Sequence, residues 1–254
     1  MTQPLFDLSG KLALITGASR GIGAATAQLL AAHGAEVILS SRKADSLEAV
    51  ARAIGAAGGR AHVMPCHTGE AASIDSLMND IESRFGRLDI LVNNAATNPF
   101  FGHILDTDLS ALDKTVAVNL RGYFHLAMRA GRLMRDKGGG AIVNVASVNG
   151  VTPAPFQGAY SVTKAAVIAM TQAFAKECAG LNIRVNAVLP GLTDTKFASV
   201  LIKNEDVLNT VLPRIPMGRV AQPEEIAPAI LYLVSPASSY VTGACLAADG
   251  GYLS

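Results

Sequence analysis

The sequence predicts an α/β protein built as one doubly wound parallel sheet of about seven strands, with helices on both faces. Three observations favour this fold class. Short apolar runs alternate along the chain with segments of helical periodicity, the runs are apolar throughout, as in strands buried on both faces, and 50% of the 254 residues are hydrophobic. Because no linker, repeat or shift in composition divides the chain, residues 1–254 are predicted to form a single domain.

Seven apolar runs are predicted as the strands. In chain order they are "LALIT" (12–16), "EVILS" (36–40), "AHVMP" (61–65), "LDILVN" (88–93), "AIVNVA" (141–146), "IRVNAVL" (183–189) and "ACLAA" (244–248). Between them, apolar residues recur every three or four positions, which predicts helices. The positions that show this in the second and third crossovers are Leu47, Val50 and Ile54, and Ile74, Leu77, Met78 and Ile81.

Composition limits the partners. The net charge is +1, without a run of like charge, which argues against nucleic acid or an anionic membrane and favours a small-molecule substrate. The longest apolar stretches fall far short of the roughly 20 residues that span a membrane. Cys66, Cys178 and Cys245 are far apart and odd in number, so a reducing, cytoplasmic compartment is expected. The five histidines show no metal-ligand spacing, and no metal is predicted.

A glycine-rich turn follows the first strand. "TGASRGIG" (16–23) contains Gly17, Gly21 and Gly23 and leads into a helix predicted from about Ile22 to His33. A helix N-terminus at the end of a strand in such a sheet offers amide groups to a pyrophosphate. The spacing is GxxxGxG rather than the commoner GxGxxG, and glycines also serve ordinary turns, so this stretch alone is weak evidence for nucleotide binding.

A second motif, "YSVTK", is predicted on the helix after the fifth strand. Tyr160 and Lys164 are four residues apart, so they share a helix face, and the ammonium is expected to lower the pKa of the phenol. Ser147 follows the fifth strand at its carboxyl end, where open α/β sheets bind ligands. Its hydroxyl would hold a substrate oxygen beside the phenol, and Asn119 would relay to the lysine through water. A single Tyr/Lys pair is otherwise common on solvated helices.

Over essentially its whole length the sequence resembles the short-chain dehydrogenase/reductases. The resemblance lies in "TGASRGIG" (16–23), "NNAA" (93–96), Asn119, Ser147, Tyr160, Lys164 and "PG" (190–191), in family order and spacing. It implies a Rossmann-type sheet of order 3-2-1-4-5-6-7 and hydride transfer between a nicotinamide and a carbonyl or secondary alcohol. Tyr160 would move the proton, Ser147 orient the carbonyl, Lys164 hold the ribose and Asn119 support a water chain.

The resemblance also implies a cofactor site and an assembly. The predicted cofactor-binding residues are Gly17, Ser19, Arg20, Gly21, Ile22, Gly23, Ser41, Arg42, His67, Asn93, Ala95, Tyr160, Lys164, Pro190, Gly191 and Thr193. Relatives of this length with an "ADGG" tail (248–251) commonly form homotetramers, through the helices that hold Asn119 and Tyr160 and through the last strand.

The second strand favours NADP(H), with NAD(H) possible. NAD-binding relatives hold the ribose with an acidic residue at the carboxyl end of this strand, about 20 residues beyond the glycines. Glu36 has that count but opens the strand, well over ~10 Å from its other end. Arg20 and Arg42 are instead expected to flank a 2′-phosphate, although arginines there also cap helices or stack on adenine.

The sequence indicates the subgroup and the substrate less specifically than it indicates the family. His67 stands where many family members carry an aspartate, and "SSRK" (40–43), "CHTG" (66–69) and "NAATNPFFG" (94–102) resemble the NADPH-dependent carbonyl and retinol reductases. A β-ketoacyl-acyl-carrier-protein reductase is the alternative, although Leu181 stands where a basic residue would meet an acidic carrier. A non-catalytic cofactor sensor is the other alternative.

Two loops are predicted to form the substrate pocket, 148–157 after Ser147 and a lid around 191–216. The residues expected to line a largely apolar pocket are Asn149, Val151, Phe156, Leu192, Phe197 and Leu201. Arg214 and Arg219 would reach in only if the lid folds over. The same apolar residues would equally serve to pack the lid onto the sheet.

Overall fold

The computed structural model describes residues 4–202 and 204–254, without the side chains at 200 and 205–207. Lys203, inside the predicted lid, lies outside the described residues, as do the first three residues. Within the described part, one seven-stranded sheet has the order 3-2-1-4-5-6-7, as predicted, and all neighbours are parallel. The strands are β1 (Leu12–Thr16), β2 (Glu36–Ser40), β3 (Arg60–Val63), β4 (Ile90–Asn93), β5 (Gly140–Val145), β6 (Ile183–Pro190) and β7 (Cys245–Ala248).

Helices connect the strands. They are α1 (Gly21–Ala32), α2 (Asp45–Ala56), α3 (Ala71–Phe85), α4 (Leu109–Val116), α5 (Gly122–Arg135), α6 (Gly158–Cys178), α7 (Ser199–Ile202), α8 (Glu205–Val211) and α9 (Pro223–Val234). A π-helical turn, Ala117–Arg121, joins α4 to α5 and contains Asn119. No helix of the described residues is long and apolar enough to cross a membrane.

The core lies on both faces of the sheet because successive strand side chains point to opposite faces. In β1, Ala13 and Ile15 join a cluster with α1, α2 and α9, whereas Leu12 and Leu14 join another with α3 and α5. The periodic apolar residues predicted in α2 and α3 are all buried. Both faces are therefore covered by helices, which leaves the strand ends as the place for a site.

Strand bounds differ from the prediction by one or two residues. β3 ends at Val63 rather than 65, and β4 begins at Ile90 rather than 88. Leu88 is buried at 1% exposure although it precedes the strand, so its apolarity reflects the core rather than the sheet. An apolar run in the sequence can therefore be longer than the strand within it, because buried residues next to the strand are apolar too.

Candidate active site

One cavity of about 640 Å³ lies at the carboxyl ends of the strands. It collects most of the residues predicted for the site, from loops that are far apart in sequence. Those that line it are Gly17, Ser19, Arg20, Gly21, Ile22, Ser41, Arg42, His67, Ala95, Ser147, Tyr160, Lys164, Pro190, Gly191 and Thr193. Gly23, Asn93 and Asn119 are not among the lining residues.

The three glycines of the loop at 16–23 are required for two different physical reasons. Gly17 and Gly21 have left-handed φ angles of 66° and 55°, which glycine adopts without steric cost. Gly23 is required for a different reason: a Cβ there would overlap the Gly17 carbonyl oxygen, so glycine permits α1 to pack against the loop. No side chain caps the N-terminus of α1. Its amide groups are thus available to an anion at this edge of the cavity.

Asn93, predicted to wall the cofactor, is fully buried within the sheet. Its amide nitrogen donates to the Asn144 side chain at 3.0 Å and to the Tyr123 carbonyl at 3.3 Å. Asn94 is the neighbour that reaches the cavity, and its side chain donates to the Thr16 carbonyl at 2.9 Å. The Asn93 side chain points into the protein interior, toward Asn144, and not into the cavity. The assignment of Asn93 to the cofactor surface is therefore wrong.

Tyr160 and Ser147 meet in the cavity. Tyr160 is 8% exposed, and burial raises the pKa of its phenol to about 12, although a hydrogen bond from Ser147 acts in the opposite direction. The Ser147 hydroxyl also accepts from the Asn149 amide at 3.1 Å, which fixes its position. Burial has the largest effect on the pKa of this phenol, and it raises that pKa. The prediction that Lys164 lowers it is therefore wrong. The phenol holds its proton at neutral pH.

Lys164 is 1% exposed, and burial lowers the pKa of its ammonium to about 7. Its Nζ donates to the Val145 carbonyl at 2.6 Å and lies 5.2 Å from the Tyr123 ring centroid and 5.5 Å from that of Tyr160. The Tyr123 hydroxyl donates to the same carbonyl at 3.4 Å. Tyr123 was not predicted to be near the site, because nothing in its local sequence indicates the contact with Lys164.

The Asn119 side chain is engaged in holding the loop after β4. Its Oδ1 accepts from the Thr97 amide at 2.8 Å, and its Nδ2 donates to the Thr97 carbonyl at 2.9 Å and to Thr163 at 3.3 Å. Thr163 lies on α6 between Tyr160 and Lys164. Asn119 therefore ties the cavity wall to the helix that holds both residues, and its amide group is occupied in doing so.

Most of the residues predicted for the substrate pocket line the cavity. Asn149, Phe156, Leu192, Phe197 and Leu201 all line it, and so does Arg214. Val151 does not line it, and this residue is 55% exposed. Arg219 does not line it and makes two hydrogen bonds to Glu225, at 2.6 and 2.7 Å. Phe101, from "NPFFG", lines the cavity and was missed.

The charges around the cavity suit a polyanion. Among the described residues no Asp or Glu lines it, whereas the basic residues are Arg20, Arg42, Lys114, Lys164, Lys196 and Arg214. Together with the open amide groups of α1, this wall fits the phosphates of a dinucleotide. Within residues 4–202 and 204–254, no group of three or more His, Cys, Asp or Glu side chains is placed to hold a metal ion.

Known proteins resemble this chain over nearly its whole length. Residues 17–253 match the family model described as enoyl-(acyl carrier protein) reductase. The chain is 41% identical over 242 residues to cis-4-hydroxycyclohexanecarboxylate dehydrogenase of Sinomonas cyclohexanicum, covering 95% of this chain and 96% of that protein. It is 39% identical over 246 residues to 3-oxoacyl-[acyl-carrier-protein] reductase of Thermotoga maritima, covering 96% and 98%.

Solved structures are similarly close. A short-chain type dehydrogenase/reductase from Mycobacterium marinum superposes with a TM-score of 0.93 at 39% identity, covering 98% of this chain and 97% of that one. A gluconate 5-dehydrogenase from Burkholderia cenocepacia, in complex with NADP and tartrate, gives a TM-score of 0.94 at 32% identity, covering 98% and 97%. These matches extend over nearly the whole chain.

Proposed function

The chain belongs to the short-chain dehydrogenase/reductase family and is an oxidoreductase of carbonyls and alcohols, and on that premise we propose NADP(H) as its cofactor and Tyr160 as its general acid and base. The observation that supports this best is that Ser147, Tyr160 and Lys164 line one cavity with the glycine loop. When bound, the nicotinamide supplies or accepts the hydride. We propose that residues 1–254 act as one domain, with 191–216 as its lid.

The proposed roles follow from the contacts in the cavity. The Tyr160 hydroxyl, protonated at neutral pH because its pKa is about 12, donates its proton to the reduced carbonyl oxygen. Ser147 hydrogen-bonds Tyr160 and is placed to hold that oxygen beside it. Lys164 holds its Nζ 5.5 Å from the centroid of the Tyr160 ring, and Asn119 positions the wall and α6. In the oxidation direction, Tyr160 must first lose its own proton, and the phenolate then accepts the proton of the alcohol.

The cofactor-binding end is proposed to prefer NADP(H). Arg20 and Arg42 are exposed on the cavity wall, and among the described residues neither guanidinium has a hydrogen bond or an ion pair. Glu36 pairs with His62 at 2.6 Å and with Arg60 at 3.5 Å, at the opposite end of β2. Thus two guanidinium groups on this wall are available to the ribose 2′-phosphate of the cofactor that we propose.

Arg42→Asp should weaken NADPH binding by about 10- to 100-fold while changing NADH binding far less, because it removes a charge-assisted hydrogen bond to the phosphate and adds repulsion. KM values for both cofactors, in parent and variant, test this. Arg52→Asp makes the same charge change on α2 outside the cavity lining and is the control. A parent that already prefers NADH would contradict the proposal.

The reaction itself is tested by mixing the protein with NADPH or NADH and a panel of ketones, aldehydes, steroids and acyl thioesters while following nicotinamide absorbance. The Thermotoga relative makes a carrier-linked acyl substrate the second candidate. Turnover of β-ketoacyl thioesters above free ketones would favour it. Tight cofactor binding without turnover of any substrate would favour a cofactor sensor instead. The resemblance to the carbonyl and retinol reductases places free ketones first.

We propose a homotetramer in a cytoplasmic, reducing compartment, the latter supported by three free cysteines. Apolar side chains on the helices beside the site are exposed: Phe124 on α5 is 50% exposed and Val162 on α6 is 61% exposed. β7, at the edge of the sheet, exposes Leu246. Such surfaces favour association with further copies.

Light scattering at micromolar concentration should therefore give about four times the 26.3 kDa chain mass. Phe124→Asp should reduce the measured mass, because it places a charge within the proposed helix interface. Lys137→Asp, beyond the end of α5, serves as the charge-change control. A monomeric parent would refute the assembly.

A further inference from the structure

Three exposed phenylalanines line the cavity that contains Tyr160. Phe101, Phe156 and Phe197 have exposed fractions of 39%, 51% and 46%. Single exposed apolar residues need no explanation, but several that line one concave site form an apolar surface of the kind that ligands cover. They come from three different loops, so the sequence does not show that they belong together.

Phe156 is held in a strained backbone conformation. Its φ is 64°, in the left-handed region that aromatic residues rarely adopt. The Gly102 amide donates to the Phe156 carbonyl at 3.1 Å, and the Phe101 ring lies 5.9 Å away at an angle of 48°. Strain of this kind persists where the surroundings impose it, typically at ligand-binding sites. The two loops therefore present a preformed pair of rings to the cavity.

Phe197 brings a third ring to the proposed proton donor. It belongs to the lid, and its ring centroid lies 5.5 Å from that of Tyr160, at 43° between the planes. A substrate whose oxygen meets the Tyr160 hydroxyl has Phe197 as a close neighbour. The part of the substrate next to its reacting carbon would therefore contact aromatic side chains.

We propose that the substrate carries a ring, alicyclic or aromatic, at or beside its reacting carbon, and that Phe156 and Phe197 select for it. This names the substrate class of the proposed function and rests on it. A rigid ring covers aromatic surface without losing rotational freedom, whereas a linear chain of equal hydrophobicity loses that freedom on binding.

The test compares ketones matched in carbon number, acetophenone against 2-octanone and cyclohexanone against 2-hexanone. We expect kcat/KM for each ring ketone to exceed that of its linear partner by about 10-fold or more. Matching the carbon number separates recognition of the ring from general apolarity. The full chain is used, with saturating NADPH.

Phe156→Gly removes the ring while glycine accepts the left-handed φ, so the loop keeps its conformation. The ring preference should fall to about threefold or less, mainly through a higher KM for ring ketones. Phe197→Leu is the second variant and should reduce the preference in the same direction. Val151→Ala, on the same loop as Phe156 but outside the cavity lining, should leave it unchanged.

The possible results separate the two proposals. A parent that prefers linear ketones, or a ring preference that survives in both Phe156→Gly and Phe197→Leu, overturns the ring inference and leaves the oxidoreductase function standing. If the parent binds NADPH but reduces no ketone in either series and no other substrate in the wider panel, the proposed function fails, and the ring inference fails with it.

Discussion

Tyr160→Phe is expected to abolish turnover while leaving the fold and cofactor binding intact. The change removes only the hydroxyl, and the remaining ring keeps its packing against Phe197. Since this phenol retains its proton at neutral pH and lies beside Ser147, the variant loses the proton donor of the proposed reduction. Loss of general acid and base catalysis costs about 10²- to 10⁴-fold in kcat.

The measurement is kcat on a ketone that the parent reduces, together with NADPH affinity and the unfolding temperature. Tyr123→Phe is the matched control, since it removes a buried hydroxyl near the same helix from a residue that does not line the cavity. Its kcat should change by less than about tenfold. Near-normal kcat in Tyr160→Phe would show that another group moves the proton.

Much of this site could be predicted because its signals are local. The spacing of Tyr160 and Lys164 brings them onto one helix face whatever the rest of the chain does. Gly17 and Gly21 have positive φ angles, as glycines in a phosphate-binding turn often do. The sheet order followed from the family resemblance and was confirmed.

What was missed depends on contacts between distant segments. Asn93 and Asn94 are adjacent, and only the pleat of β4 decides which one turns toward Asn144. The direction of the Tyr160 pKa shift depends on how deeply the packed loops bury the phenol, and sequence spacing carries no information on that. Phe101 and Phe156 meet because a hydrogen bond joins loops that are more than fifty residues apart. Periodicity cannot predict such meetings.

Lys164 combines a proposed catalytic role with a cost to stability. It is 1% exposed, and burial lowers the pKa of its ammonium from 10.5 to about 7. Between these two pH values the unfolded chain binds more protons than the folded one, so this group makes stability fall as the pH drops from 10.5 to 7. Below pH 7 its destabilising contribution no longer grows.

Lys164→Met should therefore lose turnover by about 10²-fold or more and yet unfold at a higher temperature than the parent at pH 7. Methionine has a similar length and no charge to desolvate, although the Val145 carbonyl loses a donor and keeps only the weak bond from Tyr123. A net gain of about 2 kcal/mol would raise the Tm by roughly 5 °C in a chain of this size.

The pH dependence separates this cause from ordinary repacking. The stability difference between Lys164→Met and the parent should be largest at and below pH 7 and should shrink as the pH rises toward and past 10.5, because the folded parent's lysine is already neutral and the unfolded parent's lysine then loses its proton as well. Lys176→Met, at an exposed position of the same helix, should leave turnover unchanged and should not raise the Tm, because it removes a cation from the last turn of α6. Chemical or thermal unfolding of parent and variants, repeated at several pH values from 7 to 10.5, measures this stability difference. Two results would contradict this prediction: a stability difference that does not vary with pH, or a variant less stable than the parent at pH 7. Either result would mean that the hydrogen bond to Val145 and the contacts with Tyr123 and Tyr160 outweigh the cost of burying the charge.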